Sequence, residues 1–197
     1  MRAVIFDVGR VLVHWDPDAT LTGLAEISRA SRAELQQILR QTSPTLGRGT
    51  LSVSDFHRLL IDQAGASQEW PLFYQAFCRG LRRDDAALSY AAQLAGQGAA
   101  LGIISNTNAI HVQWLHDHLP ELSCFRAVVW SSDAGLLKPE PAIYTLAVRQ
   151  MEIAPADALF IDDLEENVAG AAAAGLAGQV HQSWTQTRAA VEQWLRG

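Results

Sequence analysis

Four stretches of this chain place polar residues of cation-binding and oxyanion-binding types directly after, or close behind, apolar runs. Val4-Ile5-Phe6 leads into Asp7 and, two residues on, Gly9. Ile103-Ile104 leads into Ser105-Asn106-Thr107-Asn108, and Leu159-Phe160-Ile161 into Asp162-Asp163. Lys138, in Leu136-Leu137-Lys138-Pro139, follows the run that ends at Trp130. Three carboxylates gathered in one crevice raise one another's pKa and resist joint ionisation unless a cation neutralises them. A hard divalent ion with oxygen ligands, Mg²⁺ first among them, resolves that repulsion, and Lys138 can supply the remaining positive charge. A carboxylate can attack phosphorus to give an aspartyl-phosphate that water later hydrolyses. Mg²⁺, Lys138, the Ser105 hydroxyl and backbone N–H groups would then neutralise the phosphoryl oxygens. Each stretch also has a plainer reading by itself: a turn at Asp7-Val8-Gly9, a helix N-cap at Asp162-Asp163, a turn at Ser105-Asn106. It is their order and spacing together that favour a site.

Such a site needs parallel strands to present it. Val4 to Leu12 reads as a first strand buried on both faces, with Asp7 at its carboxyl end. Further strands are expected at Ala100–Ser105, Phe125–Trp130, Ala158–Asp162 and around Val180, with helices between them. That alternation predicts right-handed βαβ units, an α/β fold of Rossmann-like three-layer form with a parallel sheet. In such sheets ligands bind beyond the carboxyl ends of the strands, where all four stretches fall. Residues 16 to about 82 read differently, as helices with no convincing strand. Asp16-Pro17-Asp18 starts the first, Ser31 to Glu34 is a capping box for the second, Ser54 caps the third, and Trp70, Phe73, Tyr74 and Phe77 form an apolar stripe on the fourth. This block is expected as an all-α insert over the carboxyl end of the first strand.

Composition narrows the class further. The chain has 197 residues, 49% hydrophobic and 18% charged, which excludes a disordered polypeptide. No apolar run is long enough to span a bilayer and the N-terminus lacks a charged-then-apolar leader, so a cytoplasmic protein is expected. A net charge of −6 and the absence of a Lys/Arg cluster argue against nucleic acid as a partner. Cys78 and Cys124 have neither zinc-site nor disulfide spacing and read as buried thiols. No heptad seam is present, and a monomer is expected.

Taken together, Phe6-Asp7-Val8-Gly9-Arg10-Val11-Leu12, Ile104-Ser105-Asn106-Thr107-Asn108, Lys138-Pro139, and Phe160-Ile161-Asp162-Asp163 with Asn167 and Gly175 resemble the four motifs of the haloacid dehalogenase superfamily of aspartate-nucleophile hydrolases. The resemblance covers nearly the whole chain. It is closest to the bacterial sugar-phosphate phosphatases typified by α-D-glucose-1-phosphate phosphatase. It implies a catalytic core of residues 1–15 and 83–197 and a C1-type helical cap at 16–82. It further implies Asp7 as nucleophile and metal ligand, the Gly9 carbonyl as a second ligand, and Asp163 with Asp162 completing a Mg²⁺ site. Ser105, Asn106 and Lys138 are implied to hold the phosphoryl group of a small phosphate ester. One departure stands out: most phosphatases of the superfamily carry a general acid–base Asp where this chain has Gly9. His14 and Asp16 are candidate substitutes, and Arg10 is an unusual neighbour for a metal site. Two other functions fit the same residues, a 2-haloacid dehalogenase and a non-catalytic regulator that binds a phosphate ligand.

Overall fold

The computed structural model describes residues 2–197. Five parallel strands form the central sheet: β1 (Ala3–Phe6), β4 (Ala100–Ser105), β5 (Ala127–Trp130), β6 (Ala158–Asp162) and β7 (Ala177–Val180), in the order β5-β4-β1-β6-β7. β1 therefore lies in the middle, between β4 and β6. Its alternating side chains feed two separate cores. Val4 and Phe6 pack with Leu88, Ala91, Leu94, Leu115 and Val191, from α5 (Asp85–Gly96), α6 (Ala109–His118) and α10 (Trp184–Arg196). Ala3 and Ile5 pack on the other face with Ile143, Tyr144, Ala147 and Ala171, from α8 (Pro141–Gln150) and α9 (Glu165–Ala173). These are the three layers of an α/β fold, as the alternation of elements predicts.

The first strand is shorter than its apolar run. It ends at Phe6, and residues 8–13 curl into a compact turn in which the N–H groups of Val11, Leu12 and Val13 all donate to the Val8 carbonyl. Val8, Val11, Leu12 and Val13 are buried because this turn folds onto the core, so hydrophobicity there reports burial and not strand. Val13–Trp15 then forms β2, antiparallel to β3 (Leu81–Arg83). This two-stranded ribbon joins the chain's exit from the sheet to its return, and β3 corrects the expectation of no strand between residues 16 and about 82. A three-residue strand carries too short a pattern to be read from sequence.

Between the ribbon strands lie α1 (Pro17–Glu26), α2 (Arg32–Gly47), α3 (Val53–Ala64) and α4 (Trp70–Cys78). They share one apolar core, with Leu21, Leu24, Leu35, Phe56, Leu60, Phe73 and Phe77 all buried. The Ser31–Glu34 capping box is present. The third helix is capped by Ser52 and not Ser54: the Ser52 hydroxyl accepts from the Asp55 N–H at 3.1 Å, leaving Ser54 inside the first turn. Cys78 is buried and Cys124 half-buried, and neither is bridged. Among the described residues no helix is long and apolar enough to cross a membrane.

Candidate active site

Sheet order and register assemble the site. β1 and β6 pair with Phe6 opposite Ile161, and the Asp7 N–H extends the ladder by donating to the Ile161 carbonyl at 2.8 Å. The next residues in each strand direction, Asp7 and Asp162, thus meet at the same edge. Asp7, Asp162 and Asp163 each offer an oxygen within 4.8 Å of the others. Ser105, the last residue of β4, is buried beside them on the neighbouring strand.

Lys138 sits between the carboxylates. Its ammonium lies 2.7 Å from Asp7 Oδ1 and 2.6 Å from Asp162 Oδ2, with the lysine side chain fully buried. Burying a cation between two anions is stable only when the remaining polar atoms are also satisfied. Asp162 meets that condition. Its Oδ1 accepts from the Leu164 N–H at 2.8 Å, and Asn167 Nδ2 reaches both of its oxygens at 3.0 and 3.1 Å. Asn167 is itself anchored, since its carbonyl accepts the buried Tyr144 hydroxyl at 2.7 Å. Asp7 is less well served. Burial is the main cause that pushes its carboxyl up to about 6 and Asp162 adds to the rise, while Lys138 works against it.

Asn106 acts on the lysine from the main-chain side. Its Oδ1 accepts the Lys138 N–H at 2.8 Å and its Nδ2 donates to the Lys138 carbonyl at 3.0 Å. Both polar atoms of the amide are therefore taken up by the Lys138 backbone, a use not foreseen from sequence. Behind this loop Gly170 is required for close approach: a Cβ there would stand 2.6 Å from the Pro139 carbonyl oxygen.

The other predicted residues divide. The Gly9 carbonyl lies in the tight turn after Asp7, and among the described residues no donor takes it. Asp163 is partly exposed, and Arg10 Nη1 lies 3.5 Å from its Oδ2. Asp16 caps α1, accepting from the Asp18 and Ala19 N–H groups at 2.9 and 3.2 Å, which gives it the plain structural role. His14 is half exposed, with Nε2 3.7 Å from Asp84 Oδ2. Neither contact brings these two residues to Asp7.

Sequence reasoning missed the contacts between the helical block and the core. The buried Ser131 hydroxyl accepts from the Thr107 N–H at 2.9 Å and donates to the Gly47 carbonyl at 2.7 Å. Beside it, Arg48 pairs with Glu140 and donates to the Gly135 carbonyl at 3.0 Å. Gly49, at φ +68°, packs so closely that a Cβ would lie 2.1 Å from the Ser132 carbonyl oxygen. The Ser105–Asn108 loop and the end of α2 are thereby tied through one hydroxyl. The Ser131-Ser132 pair after a strand is the only sequence signal, and it resembles any strand-to-helix turn.

The donor set fits a hard divalent cation. It consists of oxygens alone, it carries excess negative charge, and its free lone pairs belong to Asp7, Asp163 and the Gly9 carbonyl, because Asp162 is saturated by Lys138, Asn167 and Leu164. Several known proteins are similar to this chain. A sesquiterpene phosphatase of Aspergillus oryzae is 28% identical over 179 residues, covering 90% of this chain and 88% of that protein. A D-ribitol-5-phosphate phosphatase of Bacteroides thetaiotaomicron is 25% identical over 186 residues, 85% of each. A HAD family enzyme of the same bacterium, crystallised with magnesium and inorganic phosphate, shares the fold with a TM-score of 0.81 at 19% identity over 95% of this chain and 98% of that one. The family model for haloacid dehalogenase-like hydrolases matches residues 1–175, and with Asp7, Lys138 and Asp162 standing at the carboxyl edge of β1 and β6, the chain belongs to that family.

Proposed function

We propose that this hydrolase is a Mg²⁺-dependent phosphatase that cleaves a small phosphorylated metabolite of the sugar-phosphate class through an aspartyl-phosphate on Asp7. The observation that carries the reading is the buried Asp7–Lys138–Asp162 array at the end of β1. Asp7 has one oxygen held by Lys138 and, unlike Asp162, is not saturated by side-chain donors, so the carboxylate keeps lone pairs with which to attack. Lys138 neutralises the phosphoryl oxygens as they gather charge, with the Ser105 hydroxyl on the β4 side. Asn106 fixes the Lys138 backbone, and Asn167 and Tyr144 fix Asp162. Asp7, Asp163 and the Gly9 carbonyl would hold Mg²⁺, with Asp162 behind them. When bound, the ion supplies charge that keeps Asp7 ionised and offsets the phosphoryl oxygens. The block at 16–82 acts as a cap on a core of 1–15 and 83–197. The names of the relatives, a sesquiterpene phosphatase and a D-ribitol-5-phosphate phosphatase, support phosphate-ester hydrolysis.

Purified protein with p-nitrophenyl phosphate and a panel of sugar phosphates tests the reading. Release of inorganic phosphate that EDTA removes, that Mg²⁺ restores and that Asp7→Asn abolishes is the expected result. Equal turnover by the Asp7→Asn protein overturns it. Halide release from 2-chloropropionate without metal would transfer the same nucleophile to dehalogenation. Thermal stabilisation by phosphate esters with no product under any metal would leave a ligand-binding regulator.

A further inference from the structure

Arg10 occupies a backbone conformation that arginine rarely adopts. Its φ is +60°, in the left-handed region where Gly or Asn rests without strain and a side chain bearing further carbons does not. Only one other described non-glycine residue, Glu152, shares that property. A strained residue directly after the nucleophile loop calls for a role its side chain performs.

The contacts indicate that role. Among the described residues two cations touch the carboxylate cluster. Lys138 is fully buried and divided between Asp7 and Asp162. Arg10 meets only Asp163, at 3.5 Å, and its side chain remains 53% exposed at the mouth of the crevice. Asp163 is also one of the carboxylates with lone pairs free for a metal ion. A divalent cation held at Asp163 would draw on the same negative charge that holds Arg10, which would weaken this long ion pair and leave the guanidinium free to face the opening. A planar guanidinium with five donors suits carboxylate and phosphate oxygens. It does not touch Asp7, where the transferred phosphoryl group must sit.

We propose that Arg10 is a specificity-determining residue that reads a second anionic group, a carboxylate or a further phosphate, on the non-transferred part of the substrate, and that metal binding at Asp163 releases it for this task. The proposal rests on the phosphatase reading and narrows its substrate class to doubly anionic esters such as sugar bisphosphates and phosphorylated hydroxy acids.

Paired substrates test it. The ratio of kcat/KM for 3-phosphoglycerate over glycerol 3-phosphate, and for glucose 1,6-bisphosphate over glucose 6-phosphate, is expected to exceed 10 in the wild type. Arg10→Asn, which tolerates positive φ and so keeps the fold, is expected to bring both ratios towards 1 through KM, with Arg10→Lys intermediate. Calorimetric titration with Mg²⁺ alone reads the competition separately: Arg10→Asn should bind Mg²⁺ about 2- to 5-fold more tightly, the scale of one exposed ion pair. Wild-type ratios at or below 1, or ratios unchanged in Arg10→Asn, overturn second-anion recognition. An unaltered or weaker Mg²⁺ affinity overturns the release step. If the wild type hydrolyses no phosphate ester at all, p-nitrophenyl phosphate included, the phosphatase reading has failed, and the Mg²⁺ titration still judges the competition.

Discussion

The floor and the rim of the crevice are built on opposite principles. On the floor, Asp7, Asp162, Lys138 and Asn167 are all buried, and the Lys138 and Asp162 charges are matched inside the protein. These residues come from the ends of β1 and β6, from α9 and from a loop clamped by Asn106. At the rim, Arg10 and His14 are half exposed, each with one long ion pair, and Leu164 is 44% exposed. Breaking one member of a buried pair costs about 3–5 kcal/mol, whereas an exposed pair contributes about 0.2–1 kcal/mol. The difference teaches how the labour is divided. On the proposed reading, groups that must hold one position during chemistry are over-determined, and groups that must adapt to a substrate are not.

The sharpest way to break this contrast is Lys138→Met. It leaves Asp7 and Asp162 facing each other without a cation, and turnover is expected to fall about 10³-fold, the scale of losing one charge-stabilising donor. A melting-temperature measurement should show a loss of about 3 kcal/mol in the same variant. Full activity in Lys138→Met would mean the floor is not the reacting centre.

Gly9→Asp would sharpen the contrast by adding a proton-transfer group between floor and rim. A Cβ at Gly9 meets only Trp15 Cβ at 3.8 Å, an ordinary contact, so the side chain has room. General acid–base catalysis is typically worth 10²–10⁴-fold, and an increase in kcat of at least about 10-fold is expected. No gain would show that another group already serves that step.

Asp7 has a folded pKa of about 6, above its ordinary value of 3.8, so the folded chain holds this proton more tightly than the unfolded one. Stability of the metal-free protein therefore falls as pH rises from about 4 to about 6, and the loss persists above that range. Asp7→Asn lacks this charge. In EDTA it should match the wild type near pH 4 and exceed it at pH 7–8 by up to about 3 kcal/mol. Melting curves across that range check the sign, and a gap that opens at acid pH would refute the burial account. Saturating Mg²⁺ should narrow the gap by favouring ionised Asp7.

Asn106→Ala gives the smallest expected effect. It removes both holds on the Lys138 main chain while leaving the ammonium and its partners in place. A fall in kcat of about 10-fold with KM nearly unchanged is expected, since each lost hydrogen bond is worth about 1 kcal/mol. A rise in KM alone would mean that Asn106 binds substrate directly, as its position in the Ser-Asn run first suggested.

Much of the site was legible because it is written locally. A carboxylate, a hydroxyl or a lysine after an apolar run is visible in any single stretch, and the Ser31–Glu34 capping box follows from residue type and spacing. The extent of β1 was not legible, because Val8 to Val13 are apolar through folding onto the core and not through strand pairing. Nor was the β2–β3 ribbon, whose members lie 66 positions apart where Trp15 faces Leu81 and 70 where Val13 faces Arg83. Ser131 and Tyr144 carry no motif, and their importance exists only in the contacts they close.

The sequence by itself determined the chemical inventory: three carboxylates, one lysine and a Ser-Asn loop at the ends of successive strands, with a glycine where a second acid usually stands. Only the tertiary structure decided which carboxylate serves which partner. Asp162 and Asp163 are adjacent and identical in type, yet Asp162, the last residue of β6, is buried against Lys138 and Asn167, whereas Asp163, just past the strand, stands partly exposed beside Arg10. Residue type follows from the chain alone, whereas burial and partnership depend on strand order and register, which are properties of the assembled sheet.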